Sequence, residues 1–364
     1  MIAVGPWIWG KTADLLAFGG SAMLALTVVL VGHWTGASDA KLPDWSYLAF
    51  ILGIDVAHVY ATLFRTYFDR EEVARRRRLY LALPVACWVA GVLLHLASPL
   101  FFWRTLAYLA VFHFVRQQRG WVAIYRARAR ENLAIDRILD DATIYAAAGV
   151  PLLVWHATLP RKFVWFVSGD FVSVDALAPL LPAIEGAYVV LLALFAARQA
   201  WIAVTAQRVN AGKSLVVTTT ALAWWVGICG TNSDLDFTAT NVIIHGVPYL
   251  FLLWHYARAR HEEAPGLVGS KVVALGVGGF FGAVVALAIV EEMIWDRLVW
   301  HDRPWLFGGA GTLSLAAWAQ AIVVPLLAVP QATHYAIDAF LWRRKDVTPA
   351  QTRALGFGAA PLLR

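Results

Sequence analysis

Asp55-Val-Ala-His58-Val-Tyr-Ala-Thr62-Leu-Phe-Arg65-Thr-Tyr-Phe-Asp69 ends an apolar run that begins near Trp45. On a helix, at about 100° per residue, Asp55, His58, Thr62, Arg65 and Asp69 fall within about 80° of one another. The remaining faces carry Val, Ala, Leu and Phe. One helix of membrane-spanning character therefore carries a single polar stripe. Ionisable groups are costly in hydrocarbon, so a stripe of this kind faces a protein interior and a partner, and marks a functional site. The rest of the chain is read as arranged around what that stripe faces.

The composition supports a membrane span. Of 364 residues, 60% are hydrophobic and 15% charged, and the mean hydropathy is +0.62. Soluble chains have about 45–50% apolar and about 25% charged residues. The excess lies in repeated apolar runs long enough to span a bilayer, and 18 tryptophans suit interfacial anchoring. The net charge of +6 sits in short loops, where the positive-inside rule accounts for it, and no nucleic-acid partner is implied. Cys87 and Cys229 lie in apolar runs and read as buried small residues, not as a disulfide or a zinc site. The start, Met-Ile-Ala-Val-Gly-Pro, lacks a basic region, so no cleavable signal is expected.

Candidate spans are 13–34, 45–66, 79–97, 100–118, 142–159, 180–204, 215–231, 238–257, 272–294 and 313–342. The expected fold is an all-α, polytopic bundle of about ten helices forming one integral membrane domain over 1–364. Cations test the count. Arg70 and Arg75 to Arg78 fall in one connection, and Arg119, Arg126, Arg128, Arg130 and Arg137 in another. Arg208 and Lys213, then Arg258, Arg260 and Lys271, then Arg343 to Lys345, Arg353 and Arg364 complete the set. These are alternate connections. Those between them (35–44, 98–99, 160–179, 232–237 and 295–312) are short, neutral or acidic. Both termini are thus expected in the cytoplasm, with the chain multi-pass in a bacterial-type inner (plasma) membrane. Segment 126–141 reads as a basic interfacial helix on the cytoplasmic side. Gly278 and Gly282 have the spacing of close helix packing.

With this orientation the histidines sort by depth. His33, His95, His156 and His301 fall toward the outer side, and His255 and His261 at the cytoplasmic edge. His58, His113, His245 and His334 share the middle or cytoplasmic half, each with polar company on its own face. Asp55 precedes His58 by three residues. His113 leads to Arg116, Gln117 and Gly120. Asp234, Thr238, Asn241, His245, Tyr249 and Tyr256 follow one line. Gln331, His334 and Asp338 form the last set, with Pro330 expected to kink their helix and free a carbonyl.

Imidazole and carboxylate one turn apart, sent inward from several helices, is the arrangement by which bundles hold iron or manganese. The donor set suits Fe, with Mn or Zn as alternatives, at one metal or two. His58, His113, His245 and His334 are the metal-ligand candidates, joined by Asp55 and Asp338 as ligands or as supports for an imidazole. Tyr249, Asn241 and Gln117 are the candidate substrate-side residues. Arg65 and Asp69 are expected to be edge residues that snorkel, and Arg116 either does the same or binds an anionic lipid head group. Asp234 and Asp236 are expected to start a helix, and Glu291 and Glu292 to end one in water.

The segment His334-Tyr-Ala-Ile-Asp338-Ala-Phe-Leu-Trp342 resembles the tail of bacterial multi-pass proteins labelled β-carotene 15,15′-monooxygenase-like, and His245-Gly-Val-Pro-Tyr249 is loosely similar. The resemblance covers a small part of the chain. It implies a non-haem iron site that uses oxygen on a lipophilic substrate. The function expected is therefore a metal-dependent membrane oxidoreductase, an oxygenase or oxidase, with a lipophilic small molecule and membrane lipid as its partners. The alternatives are a proton-coupled transporter, a haem-binding membrane protein using facing histidines, and an assembly subunit of a membrane complex.

Overall fold

A computed structural model of the protein describes residues 2–39, 42–263, 269–309, 313–341 and 348–357. Trp342, the cations Arg343 to Lys345 and Arg364 lie outside these residues, as do parts of the connections expected at 35–44, 258–271 and 295–312. Backbone groups in hydrocarbon must be satisfied within their own segment, and the apolar runs are helical accordingly. In chain order the long helices are α1 (Lys11–Thr35), α2 (Asp44–Arg65), α3 (Arg77–Ala97) and α4 (Pro99–Arg128). Next come α5 (Ala134–Ala157), α6 (Asp175–Thr205), α7 (Ala211–Trp224), α8 (Asp234–Glu263) and α9 (Gly276–Trp300). The last are α10 (Ala317–Leu327) and α11 (Val329–Leu341). Among the described residues the strands are two short ones, β1 (Ala3–Val4) and β2 (Arg208–Val209), paired in parallel.

The chain is thus all-α in its long elements. Among the described residues seven helices, α1, α2, α3, α5, α6, α8 and α9, are long and apolar enough to cross a membrane, which makes this a multi-pass helical membrane protein. The other three expected spans are helical but less simple. Helix α4 carries Arg104, His113 and a run from Arg116 to Arg119. Helix α7 has 14 residues and continues as a π-helical turn, Trp225–Gly230. The last expected span is broken at Ala328 into α10 and α11. Pro330 therefore sits in the first turn of α11, where a missing N–H costs nothing, and the expected kink is a full break. The apolar helices differ widely in burial: 11% of the spanning window of α6 is buried, against 78% for α8.

Where one domain was expected, the contacts divide the chain into two compact units interleaved in sequence. Unit 1 takes residues 1–46, 111–248 and 349–364, and unit 2 takes 47–110 and 249–348. Helices α4 and α8 each pass unbroken from one unit's residues to the other's.

In unit 1, α5 packs against α6 and α7 around Ala147, Val150 and Tyr188. The π turn after α7 approaches α8 so closely that a Cβ on Gly227 would lie 1.8 Å from Thr240 Oγ1. Only glycine fits there. The interfacial helix expected over 126–141 is not formed. Helix α4 ends at Arg128, Arg130 takes a φ of 54°, and α5 starts at Ala134. The reason is Lys213, which is fully buried and donates to Glu131 at 2.8 Å and Asp140 at 3.1 Å. A buried ammonium is tolerated only when paired, and the chain bends to supply both carboxylates. Arg119 and Arg126 donate to Asp141, so much of the charge that suggested a wet face turns inward.

In unit 2, α3 packs against α10 and α11, and α9 against α2. Ala57 and Ala61 are fully buried, and their small side chains belong to the cluster that holds Phe280, Val284, Leu253 and Tyr249. Arg65 and Asp69 do not snorkel. Arg65 is 0% and Asp69 1% exposed. Asp69 caps the short helix Arg70–Arg75 and accepts from Tyr256 and Arg260, while Arg65 lies 4.9 Å over the Tyr256 ring and 3.5 Å from Glu72. A cation with a carboxylate and an aromatic face nearby has no need to reach water. The solvated end expected at Glu291 and Glu292 is likewise corrected. Glu291 is buried and accepts from Gln331 and Trp295, and Glu292 accepts from Tyr47 at 2.8 Å.

Candidate metal site

The four histidines expected at mid-depth are all buried, and they fall into two pairs, one in each unit. In unit 2 the pair is His58 and His334. Helix α2 is π-helical over Tyr47–Val56 and returns to α geometry at Ala57, so His58 stands just past an irregular turn of a kind frequent at functional sites. Its ring centroid is 5.0 Å from that of His334, edge to face, and ligand atoms of the two rings lie within 4.8 Å. His58 Nδ1 is 3.3 Å from the carbonyl oxygen of Ile54 and 3.9 Å from Asp55 Oδ1. The carbonyl, not the carboxylate, is its hydrogen-bond partner.

His334 Nδ1 lies 2.8 Å from Thr62 Oγ1. Thr62 Oγ1 is 3.1 Å from Tyr249 Oη, which donates to Asp338 Oδ1 at 3.1 Å. The Tyr249 ring presents an edge-to-face contact to both imidazoles, 5.8 Å from His58 and 5.4 Å from His334. Asp338 thus ends a chain of hydroxyls leading to an imidazole. Neither it nor Asp55 belongs to the group of potential ligands found among the described residues, which is made of histidines.

In unit 1 the pair is His113 on α4 and His245 on α8, again 5.0 Å apart and edge to face, with ligand atoms within 4.8 Å. Phe114 lies flat on His245, centroids 3.5 Å apart at 8°, and Trp165 meets Phe114 edge-on at 5.1 Å. Trp165 comes from the connection between α5 and α6, which folds inward. Phe163 and Phe171 are buried there, and Asp170 Oδ2 accepts from the amides of Trp165, Phe166 and Val167. The aromatic packing behind His245 was not read from the sequence. The clue was the density of aromatics in a connection taken for an outer loop.

Pro248 shapes this pair. It lies inside α8, has no N–H, and deprives the carbonyl of Ile244 of its helical donor. Gln118 Nε2 reaches that carbonyl at 3.5 Å, and Gln117 Nε2 donates to the next one, His245, at 2.8 Å. Gln118 is in turn held by Thr220 at 3.2 Å. A proline four residues after a carbonyl, opposite a Gln-Gln step, was the available signal for Gln118. Asn241 spends its amide hydrogen on its own helix, at Phe237, 2.8 Å away. Asn241 Oδ1 and Gln117 Oε1 are left buried with no hydrogen-bond partner among the described residues. Buried acceptors are normally satisfied, so these two are available to a donor from a bound molecule. Arg116 donates to Tyr145 at 2.6 Å and is exposed. On the expected outer side, Asp236 follows Asp234 at the start of α8 and is fully buried, bound by Ser38 at 2.7 Å and His33 at 2.8 Å.

Two buried imidazoles within ligand distance are a donor set for a divalent metal, and no thiolate competes. The fit to haem is poor inside either pair: rings meeting edge to face at 5.0 Å leave no room for a porphyrin plane between them. No family model matches the chain, and neither a curated protein nor a solved structure does. What the site can do is therefore argued from these residues.

Proposed function

We propose that His58, His113, His245 and His334 are metal ligands, for iron before manganese or zinc, in a membrane oxidoreductase that acts on a lipophilic substrate. The observation that carries this reading is the burial of two imidazole pairs, each within ligand distance, with one ring of each pair on a helix long and apolar enough to cross a membrane, His58 on α2 and His245 on α8. The resemblance of the His334 to Asp338 segment to β-carotene monooxygenase-like proteins agrees with iron and with an apolar substrate. We further propose the full topology: about ten spans, both termini cytoplasmic, in the inner membrane of a bacterial-type cell, as the alternation of loop charge requires.

A bound iron ion supplies the redox chemistry with oxygen. The protein's own part is to keep water out with an apolar bundle, to fix the imidazoles, and to orient the substrate. Tyr249 is tethered on both sides and holds its place. Asn241 Oδ1 and Gln117 Oε1 offer acceptors to a polar group of the substrate. The test is metal analysis by mass spectrometry of protein purified without chelator. About one equivalent of metal per chain is expected, and less than about a tenth overturns the proposal.

A further inference from the structure

Counting protons along the chain in unit 2 fixes the state of one ring. Asp338, as a carboxylate, only accepts, so the single hydroxyl proton of Tyr249 is committed to it. Tyr249 must then accept from Thr62, whose single hydroxyl proton is committed in turn. The 2.8 Å bond between Thr62 Oγ1 and His334 Nδ1 is left with one possible donor, the ring nitrogen. We infer that Asp338, acting through Tyr249 and Thr62, locks His334 in the Nδ1–H form and so presents the lone pair of Nε2 as the ligand atom.

The inference rests on the reading of His334 as a ligand, and it makes Thr62, Tyr249 and Asp338 positioning residues. His58 reaches the same state more simply. Its Nδ1 faces the Ile54 carbonyl, which cannot donate, so its Nε2 also carries the lone pair. Both rings of unit 2 thereby offer the same atom. Thr62 is suited to the task by its backbone. A threonine in a helix commonly returns its hydroxyl to the carbonyl four residues back, as Thr66 does to Thr62 at 2.7 Å. Thr62 begins a 3-10 turn at the end of α2 and sends its hydroxyl across to α8 and α11 instead. Carboxylate support of a metal-binding histidine is usually direct; here two hydroxyls carry it.

The experiment uses full-length, metal-free protein labelled with 15N in histidine, in which a long-range proton–nitrogen spectrum reports each ring's tautomer. The His334 signal is assigned by its loss in His334→Gln. In the parent protein His334 is expected as Nδ1–H alone. Thr62→Val should release it into a mixture, Thr62→Ser should restore it, and Tyr249→Phe should reverse it, because the freed Thr62 proton can then turn to Nδ1. Zinc(II) affinity, read by competition with a chromophoric chelator, should fall about 10–100-fold in Thr62→Val and Tyr249→Phe and recover in Thr62→Ser. An Nε2–H ring in the parent, or a tautomer indifferent to both Thr62→Val and Tyr249→Phe, overturns the inference. So does a tautomer that shifts while affinity stays constant. If the parent binds no metal yet the tautomers respond as stated, the metal reading falls and the proton lock stands.

Discussion

The two histidine pairs share a spacing and differ in what holds them. In unit 2 both rings are held by a hydrogen bond at Nδ1, one to a backbone carbonyl and one to a chain of hydroxyls ending in a carboxylate. In unit 1 His245 is held by a phenyl ring lying flat on it, and its helix by glutamines donating to the carbonyls around Pro248. A directional bond fixes which nitrogen is protonated. A stacked ring fixes where the imidazole lies. Equal burial and equal spacing are therefore reached through different kinds of contact.

Four measurements bear on that contrast. The greatest effect is expected from His334→Ala and from His245→Ala, each of which should remove stoichiometric metal while the protein remains extractable and monodisperse. Full metal in either variant shows that one pair suffices. Next, Phe114→Ala should destabilise the fold by about 3–5 kcal/mol, the cost of truncating a buried phenyl, and lower the midpoint of thermal unfolding. The tautomer of His334 should not respond to it. A smaller effect, about 1 kcal/mol of stability, is expected from Gln117→Leu, which loses one hydrogen bond to a helix carbonyl. A loss of metal from that variant at unchanged thermal stability would show that the glutamine does more than tie α4 to α8. Least of all, Asp55→Asn should change metal affinity by under about 1 kcal/mol, as for a weak ion pair. Its carboxylate stands 3.9 Å from an imidazole nitrogen bound elsewhere, and abolished binding would make Asp55 a ligand.

The burial of these four histidines was readable from the sequence, and their orientation was not. Loop charge and apolar run length set His58, His113, His245 and His334 apart from six other histidines, and the structure buries all four. The same pattern located helices at every expected span. It could not show that α2 is π-helical over Tyr47–Val56, because a widened turn leaves no mark in composition and rotates each residue that follows it. It also could not show which charges find partners. Lys213, Arg65, Asp69 and Glu291 looked like residues of a wet edge, and each is buried against groups distant in sequence or on a neighbouring helix. Asp338 could be placed one turn from His334 but not at the far end of a hydroxyl chain, since Thr62 and Tyr249 come from two other helices.

The contrast in burial between α6 and α8 sets how freely each may drift. With 11% of its spanning window buried, α6 turns most of its apolar surface away from the rest of the chain, where one apolar side chain serves about as well as another. Helix α8, at 78%, must satisfy neighbours along most of its length. A deep mutational scan should therefore pass almost silently over exchanges among leucine, valine, alanine and phenylalanine in 181–205, and become unforgiving between 234 and 256.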